Sequence, residues 1–244
     1  MYTYELPVSE IIHLSPNANA TRVGLQGKEF SFLPGQYAQI ELQLKESEQF
    51  KVLNNEPRTQ KRTFSISSSP LQKGYLELTT KAIDRGLVSV YLLKYLKLGD
   101  IIKLKGPLGK FFFDEKTTKK NIVFLAAGSG ISPLMSMIRY IHEKKISINT
   151  TLLYSNKTQQ EILWKEEIET MVKTNAHIKH VFTLTQEAWQ GRTGRIDKDL
   201  VFSYVKEKEN TDFYVCGPPT FVEGIEQILK QQDIPMSAIK KEIF

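Results

Sequence analysis

Phe124-Leu125-Ala126-Ala127-Gly128-Ser129-Gly130-Ile131-Ser132-Pro133 reads as an apolar strand running straight into a Gly-Ser-Gly turn, with a proline where the first turn of a helix accepts one. Glycines at such a joint let the backbone come close to a bound pyrophosphate at the carboxyl edge of a parallel sheet. The run is not a full dinucleotide fingerprint, because Pro133 stands where a third glycine would be. A plain tight strand-to-helix turn is the other reading of the same ten residues. The surrounding chain decides between them.

From residue 116 onward strands and helices alternate. Strands are predicted over 121–126, 150–155, 178–184, 213–216 and 238–244, and helices over 133–144, 159–172, 198–205 and 220–231. That order predicts a parallel sheet covered on both faces. Tyr214-Val215-Cys216-Gly217-Pro218-Pro219 is then a second strand-to-helix turn at the same sheet edge. Cys216 reads either as a small buried hydrophobe or as a site thiol, and no histidine stands near it in sequence to act as its base.

Before residue 114 the rhythm is different. Short alternating strands are predicted over 2–13, 21–26, 36–44, 62–67, 75–81 and 101–105, with one helix over 87–96. Ser15-Pro16-Asn17, Leu33-Pro34-Gly35, Lys73-Gly74 and Gly106-Pro107 mark the joints, and the polar segment 45–61 reads as a long hairpin excursion. Strands of this length and spacing predict a small antiparallel barrel.

Within that barrel Arg62-Thr63-Phe64-Ser65 sets a fixed cation, an aromatic plate and a hydroxyl just before Ser67-Ser68-Ser69-Pro70. Charge for a phosphate, a flat apolar face and a small donor form the inventory that holds a flavin. Strand alternation puts Arg62 and Phe64 on one face and Ser65 on the other. All three meet one ligand only across the strand end, or where the strand bends. Gly86-Leu87-Val88-Ser89 opens the helix, and its free amides with a hydroxyl suit an anion; a plain glycine-entered helix is the alternative.

Composition excludes several classes. A chain of 244 residues allows two domains with their own cores. Its net charge of +6 is spread over pairs such as Lys119-Lys120 and Lys144-Lys145, without the concentrated block of a nucleic-acid footprint. Mild steering toward an acidic protein or a phosphorylated cofactor is the expected effect. One cysteine rules out an intrachain disulfide and a self-contained iron–sulfur cluster. His177 and His180 have no third ligand nearby, so no metal site is expected. No apolar run is long enough for a membrane span, and the first residues lack the pattern of a signal peptide, so a cytoplasmic location is expected.

Taken in order, these residues resemble the ferredoxin–NADP reductase superfamily of flavin-dependent oxidoreductases, over nearly the whole chain. Arg62-x-Phe64-Ser65 resembles its flavin motif, with Phe64 where Tyr is usual. Lys81 with Gly86-x-x-Ser89 is similar to its flavin phosphate segment, and Gly106-Pro107-x-Gly109-x-Phe111 to the link leaving its barrel. Gly128-x-Gly130-Ile131-x-Pro133 and Cys216-Gly217-Pro218-Pro219 resemble its nicotinamide-nucleotide motifs, and Glu242-Ile243-Phe244 an ending found in part of the family. The fold this implies is an antiparallel Greek-key flavin-binding barrel over 1–115, followed by a parallel-sheet α/β nucleotide-binding domain over 116–244.

The resemblance also implies roles. FAD would be held by Arg62, Thr63, Phe64 and Ser65 with Lys81, Gly86, Leu87, Val88 and Ser89. Arg62 would take its pyrophosphate, Phe64 would stack on the ring, and Ser65 would sit near its reactive edge. NADPH or NADH would lie on Gly128, Ser129, Gly130, Ile131 and Pro133, and on Cys216, Gly217, Pro218 and Pro219. Cys216 would position the nicotinamide, Glu242 would relay a proton or balance charge, and Phe244 would cover the flavin. Lys157, Arg192 and Arg195 are candidates for clamping a 2′-phosphate, while Gln186 stands near where NADPH-specific members carry Arg, so the choice of nucleotide stays open. The implied activity is that of an NAD(P)H-dependent flavoprotein oxidoreductase passing electrons to a small acidic ferredoxin or flavodoxin. A free flavin or quinone reductase, or a non-catalytic electron-transfer subunit, are the alternatives.

Overall fold

A computed structural model describes residues 1–44, 58–83 and 86–244. Most of the excursion expected over 45–61 therefore falls outside the described residues. The N-terminal strands are β1 (Tyr2–Ser15), β2 (Ala18–Gly24), β3 (Tyr37–Gln43), β4 (Thr59–Ser65), β5 (Tyr75–Lys81) and β6 (Ile101–Leu108), with helix α1 (Leu87–Lys94) between the last two. They form one curled antiparallel sheet in the order β4-β3-β6-β1-β2-β5. The return of β6 to lie between β3 and β1 is the Greek-key crossing. Alternation supplies the core: Leu6, Val8, Ile40, Leu42, Leu76, Leu78, Ile102 and Leu104 point inward and are buried. Val88, Tyr91 and Leu92 of α1 pack into the same cluster.

The sheet curls shut at the flavin-type motif. β4 pairs with β3 as far as Ser65 opposite Tyr37. The chain then changes partner, with Ile66 bridging Leu78 of β5 and the Ser67 amide donating to the Glu77 carbonyl at 2.8 Å. The motif thus ends at the bend that alternation requires if one ligand is to meet both of its faces. Two expectations need correction. Gly106-Pro107 does not end a strand: it lies inside β6, at an irregularity of the β3–β6 register between Tyr37 and Gln39, where a missing ladder donor is tolerated. The helix expected over 87–96 stops at Lys94.

The second half alternates as expected: β7 (Asn121–Ala127), α2 (Ile131–Glu143), β8 (Asn149–Asn156), α3 (Lys165–Thr174), β9 (Ile178–Leu184), β10 (Arg192–Thr193), α4 (Lys198–Ser203), β11 (Thr211–Gly217), α5 (Pro219–Lys230) and β12 (Ile239–Ile243). The sheet runs β10-β9-β8-β7-β11-β12, every pair parallel. Its central strands β7, β8 and β11 are buried on both faces. Phe124 and Leu152 pack with Leu134 and Ile138 of α2, while Val123, Leu125 and Val215 pack with Val222 and Ile225 of α5. The helix expected over 159–172 is broken. A 3-10 turn, Gln159–Glu161, is followed by extended Ile162 and then by Trp164 at φ 52°, and α3 begins only at Lys165. The break buries Ile162, Leu163 and Trp164 in the core, which an unbroken amphipathic helix would not do. The two-residue β10 is an element that the sequence does not announce.

The two halves are joined by apolar packing and by polar contacts centred on one arginine. Ile12, Leu14, Ala18 and Ala20 of the β1–β2 hairpin pack into the core cluster beneath α2 and α3. Arg139 of α2 donates from Nη1 to Glu77 Oε1 on β5 at 2.5 Å and to the Ser67 carbonyl at 2.8 Å. Its Nε and Nη2 form a fork on Glu167 of α3, both at 2.7 Å, and its guanidinium lies 5.4 Å from the Trp164 ring centre. Glu77 also accepts from Arg22 Nε at 3.1 Å and from the Ser67 hydroxyl at 3.0 Å. Beside this knot the Ser136 hydroxyl of α2 donates to the Ser68 carbonyl at 2.7 Å.

Burial alone would raise the Glu77 carboxyl, but the Arg139 charge and its hydrogen bond outweigh that and hold it below the usual carboxylate range. A depressed carboxylate contributes stability that is present above its ordinary pKa and is lost as pH falls through its folded value. Arg139→Ala leaves Glu77 buried without its main counter-charge. It is expected to lower the free energy of unfolding by about 3–5 kcal/mol in urea titrations at neutral pH. In acid, where Glu77 takes up a proton, the gap between variant and wild type is expected to narrow.

Candidate active site

The parallel sheet reverses its order between β7 and β11, so the loops leaving these two strands diverge and open a crevice at the carboxyl edge. One loop is the Gly128–Gly130 turn, the other is Gly217-Pro218-Pro219. They touch: a Cβ added to Gly130 would lie 2.1 Å from the Cys216 carbonyl oxygen and 2.7 Å from the Gly217 nitrogen, so only glycine fits. Gly128 has φ +54°, a left-handed conformation that glycine adopts without strain. The Tyr154 hydroxyl on β8 donates to the Gly128 carbonyl at 2.9 Å and fixes the turn from below. Ile131 and Pro133 are buried in the first turn of α2, and Pro219 takes the first position of α5.

On the next strand Cys216 stands opposite Glu242, and the Phe244 amide donates to the Gly217 carbonyl at 3.1 Å. Cys216 is fully buried. Desolvation first, and the neighbouring Glu242 second, push its thiol well above its ordinary pKa. That describes a neutral, buried thiol that does not itself line the cleft between the halves. Burial pushes the Glu242 carboxyl up to about 7, and its Oε2 is buried without a hydrogen-bond partner. Phe244 leaves its ring half exposed, at 49 %.

On the barrel side Ser65 is buried and its hydroxyl also lacks a partner. Phe64 is partly buried against the barrel core, and Thr63 and Arg62 are exposed. Arg62 donates from Nη1 to its neighbour's carbonyl, that of Lys61, at 2.7 Å. Leu87 and Val88 turn their side chains into the barrel core, so what they offer a ligand is backbone amide. The Ser89 hydroxyl, just above Gly86, accepts from the Ile83 amide at 3.3 Å.

A cleft of about 1010 Å³ opens along the crevice between the halves. It brings together Lys81 from the barrel with Gly128, Ser129, Lys157, Arg195 and Pro218. Arg62, Ser65, Glu242 and Phe244 lie outside its lining. Arg192 is also outside, drawn to Asp197 at 3.1 Å, the residue that caps α4. Three residues that sequence reading missed belong to the cleft or its support. Asn156, 5 % exposed at the end of β8, has both ends of its carboxamide unpartnered. Glu161 binds Lys81, and Tyr154 holds the glycine turn. A polar residue closing the apolar run of β8 was a readable signal for Asn156, whereas Glu161 had none.

These features fit a dinucleotide and a flavin. Buried polar groups ordinarily find partners, and Ser65, Asn156 and Glu242 are orphaned where a ligand edge would supply them. The glycine turn leaves room for a phosphate that a side chain would fill. The arrangement is that of a two-cofactor oxidoreductase fold.

Comparison with known proteins agrees. Residues 5–113 match the oxidoreductase FAD-binding domain family, and residues 124–227 match the oxidoreductase NAD-binding domain family. The anthranilate 1,2-dioxygenase electron transfer component of Acinetobacter baylyi is 26% identical over 219 residues, covering 89% of this chain and 59% of that protein. Among solved structures, the flavohem-like FAD/NAD-binding domain of nitric oxide dioxygenase from Vibrio cholerae superposes with a TM-score of 0.86 at 22% identity, covering 98% of each chain. A ferredoxin NADP+ reductase from Neisseria gonorrhoeae with bound FAD and NADP gives 0.82 at 20% identity, covering 100% of this chain and 99% of that one. At such identity the structural likeness speaks of fold. The chain belongs to the FAD-binding and NAD-binding oxidoreductase domain families, one after the other, and has the ferredoxin–NADP reductase-like fold. It spans between half and two thirds of the length of the curated relatives it matches. Among the described residues no helix is long and apolar enough to cross a membrane.

Gly130→Ala tests the touching loops. The added methyl must push the Cys216–Gly217 peptide away, so nicotinamide nucleotide binding is expected to fall by at least about tenfold while the flavin content of the purified protein is unchanged. Isothermal titration with NAD+, beside the flavin absorbance of the same sample, checks both.

Proposed function

We propose that this chain is an NAD(P)H-dependent flavin oxidoreductase that serves a separate electron acceptor, a small acidic redox protein of the ferredoxin or flavodoxin kind. In this reading residues 1–115 hold FAD and residues 116–244 hold the nicotinamide nucleotide. The observation that carries it is the cleft at the switch point, shared by Lys81 of the barrel and by Gly128 and Ser129 of the α/β half. Bound FAD supplies the two-electron chemistry, accepting hydride from the nicotinamide and releasing electrons to the acceptor.

The chain's own residues position, shield and balance charge. Arg62 offers an exposed guanidinium for the flavin pyrophosphate, and the amides opening α1 offer a second anion site. Phe64 provides the stacking face without the hydroxyl of a tyrosine, and the orphaned Ser65 hydroxyl provides a hydrogen bond at the ring edge. Cys216, neutral and fully buried behind the cleft, would position the nicotinamide indirectly, by fixing the Cys216–Gly217 peptide that packs against Gly130. Phe244, half exposed, would cover a ring and swing aside. Lys157 and Arg195 give the cleft a cationic wall and Gln186 a neutral stretch, so either NADPH or NADH serves as donor. The net charge of +6 favours an acidic acceptor. A cytoplasmic setting goes with a supply of reduced nicotinamide.

Two outcomes are expected. The protein purifies yellow, and Arg62→Ala weakens flavin retention by roughly 1.5–3 kcal/mol, one to two decades in the dissociation constant measured by flavin fluorescence. A colourless protein that takes up neither FAD nor FMN contradicts the proposal. The second concerns pH. Glu242 holds a proton on its carboxyl below about pH 7 and becomes an anion beside Cys216 above it. A negative charge there opposes the arrival of hydride, so the rate of flavin reduction is expected to fall as pH rises through about 7. Glu242→Gln stays neutral throughout and should flatten that profile in anaerobic stopped-flow measurements.

A further inference from the structure

Lys81 and Glu161 form an ion pair that crosses the cleft from one half of the molecule to the other. Lys81 Nζ lies 2.5 Å from Glu161 Oε2, and both side chains are largely withdrawn from solvent, at 17% and 19% exposure. Both line the cleft. The Lys81 ammonium is 3.9 Å from where a Cβ on Gly128 would sit, so it stands over the mouth of the glycine turn. Glu161 is held from behind. Its 3-10 turn leads into Ile162 and Leu163, which are buried in the core. Glu161 therefore cannot retreat far without disturbing that core, whereas Lys81, on a flexible four-carbon stem at the end of β5, can turn.

We propose that Glu161 is a counter-charge that sets the affinity and release of the nicotinamide nucleotide by competing with its pyrophosphate for Lys81. This inference rests on the nucleotide reading of the cleft. A pyrophosphate seated on the amides of Gly128 and Ser129 brings negative charge within reach of the same ammonium that Glu161 holds, so Lys81 serves the nucleotide and not the flavin phosphate that the family resemblance implied for it. One ammonium cannot neutralise both fully. Binding thus draws Lys81 toward the phosphate and leaves Glu161 as a fixed anion at its edge. In a cleft partly screened from water, that repulsion is felt over several ångströms. The pair thereby weakens nucleotide binding and shortens the residence of the oxidised product. An electron-transfer enzyme that exchanges its nucleotide at each turnover gains from this.

The test relies on sign. A merely structural salt bridge is indifferent to which partner is lost: Lys81→Gln and Glu161→Gln should then shift nucleotide affinity in the same direction, or not at all. A competing counter-charge splits them. Glu161→Gln frees Lys81 and is expected to tighten NAD+ and ADP binding roughly three- to tenfold, while Lys81→Gln leaves Glu161 facing the phosphate and weakens it by a similar factor. The double variant Lys81→Gln/Glu161→Gln should fall between them. Isothermal titration of the flavin-loaded full chain with NAD+, and separately with ADP, reads this without turnover. Raising the salt should narrow the spread. Thermal melting of each variant checks that the fold is intact. Tightening by Glu161→Gln together with weakening by Lys81→Gln supports the proposal. Weaker or unchanged binding in Glu161→Gln, with a normal melt, overturns it and leaves the nucleotide reading standing. A wild-type protein that binds neither NAD+ nor ADP overturns the nucleotide reading itself, and the proposal with it.

Discussion

Arg139 is one residue of helix α2, yet the relative placement of the two halves turns on it. Its guanidinium is fully engaged: one end on Glu77 and the Ser67 carbonyl of the barrel, the other forked on Glu167 of α3. Both it and Glu77 are buried, and burying a charge is expensive unless every lone pair is met. Here the requirement is satisfied only when barrel strand β5 and helices α2 and α3 are all in place. A rotation between the halves would take Arg139 from Glu77, leaving this buried carboxylate with only its barrel-side contacts to Arg22 and the Ser67 hydroxyl. The interaction is therefore a constraint on geometry more than a source of net stability.

That constraint matters because the two sets of candidate site residues come from opposite halves. Ser65 ends the strand whose continuation, Ser67 and Ser68, meets Arg139 and Ser136. The flavin-type motif and the clamp are thus two residues apart on one extended segment. On the other side Gly130 is locked onto the Cys216–Gly217 peptide, and Cys216 is locked beside Glu242. Holding two rings at near-attack distance demands this kind of rigidity, since small misplacements are costly in rate. At the cleft, the more exposed Lys81–Glu161 pair is the part of the interface that can open, by movement of Lys81.

Much of this was legible in the sequence. β5 over 75–81 and β9 over 178–184 were read with the bounds observed, because neither contains a breaker and both are rich in β-branched, aromatic and aliphatic residues. The glycine turns and Pro219 were readable because backbone chemistry at a strand-to-helix joint admits few residues. What escaped is non-local. Trp164 adopts a left-handed conformation that its side chain does not favour, and it does so to reach a core assembled by other elements. Glu77 and Arg139 are 62 positions apart, and each looks like a surface charge on its own element. Tyr154 lies in the strand predicted over 150–155 and Asn156 just past it, and without the cleft neither has meaning. The three candidate cations were separable only in three dimensions, where Arg192 turns to Asp197 and Lys157 and Arg195 turn to the cleft.

The central claim is that one face of this molecule holds a flavin and the adjoining cleft holds a nicotinamide nucleotide in reach of it. The most direct measurement mixes flavin-loaded protein with NADH or NADPH under anaerobic conditions and follows the oxidised-flavin absorbance in a stopped-flow spectrometer, with no acceptor present. The account predicts full bleaching by at least one of the two nucleotides, at a rate that saturates with nucleotide concentration. A flavin-loaded protein whose absorbance is left unchanged by both would contradict it.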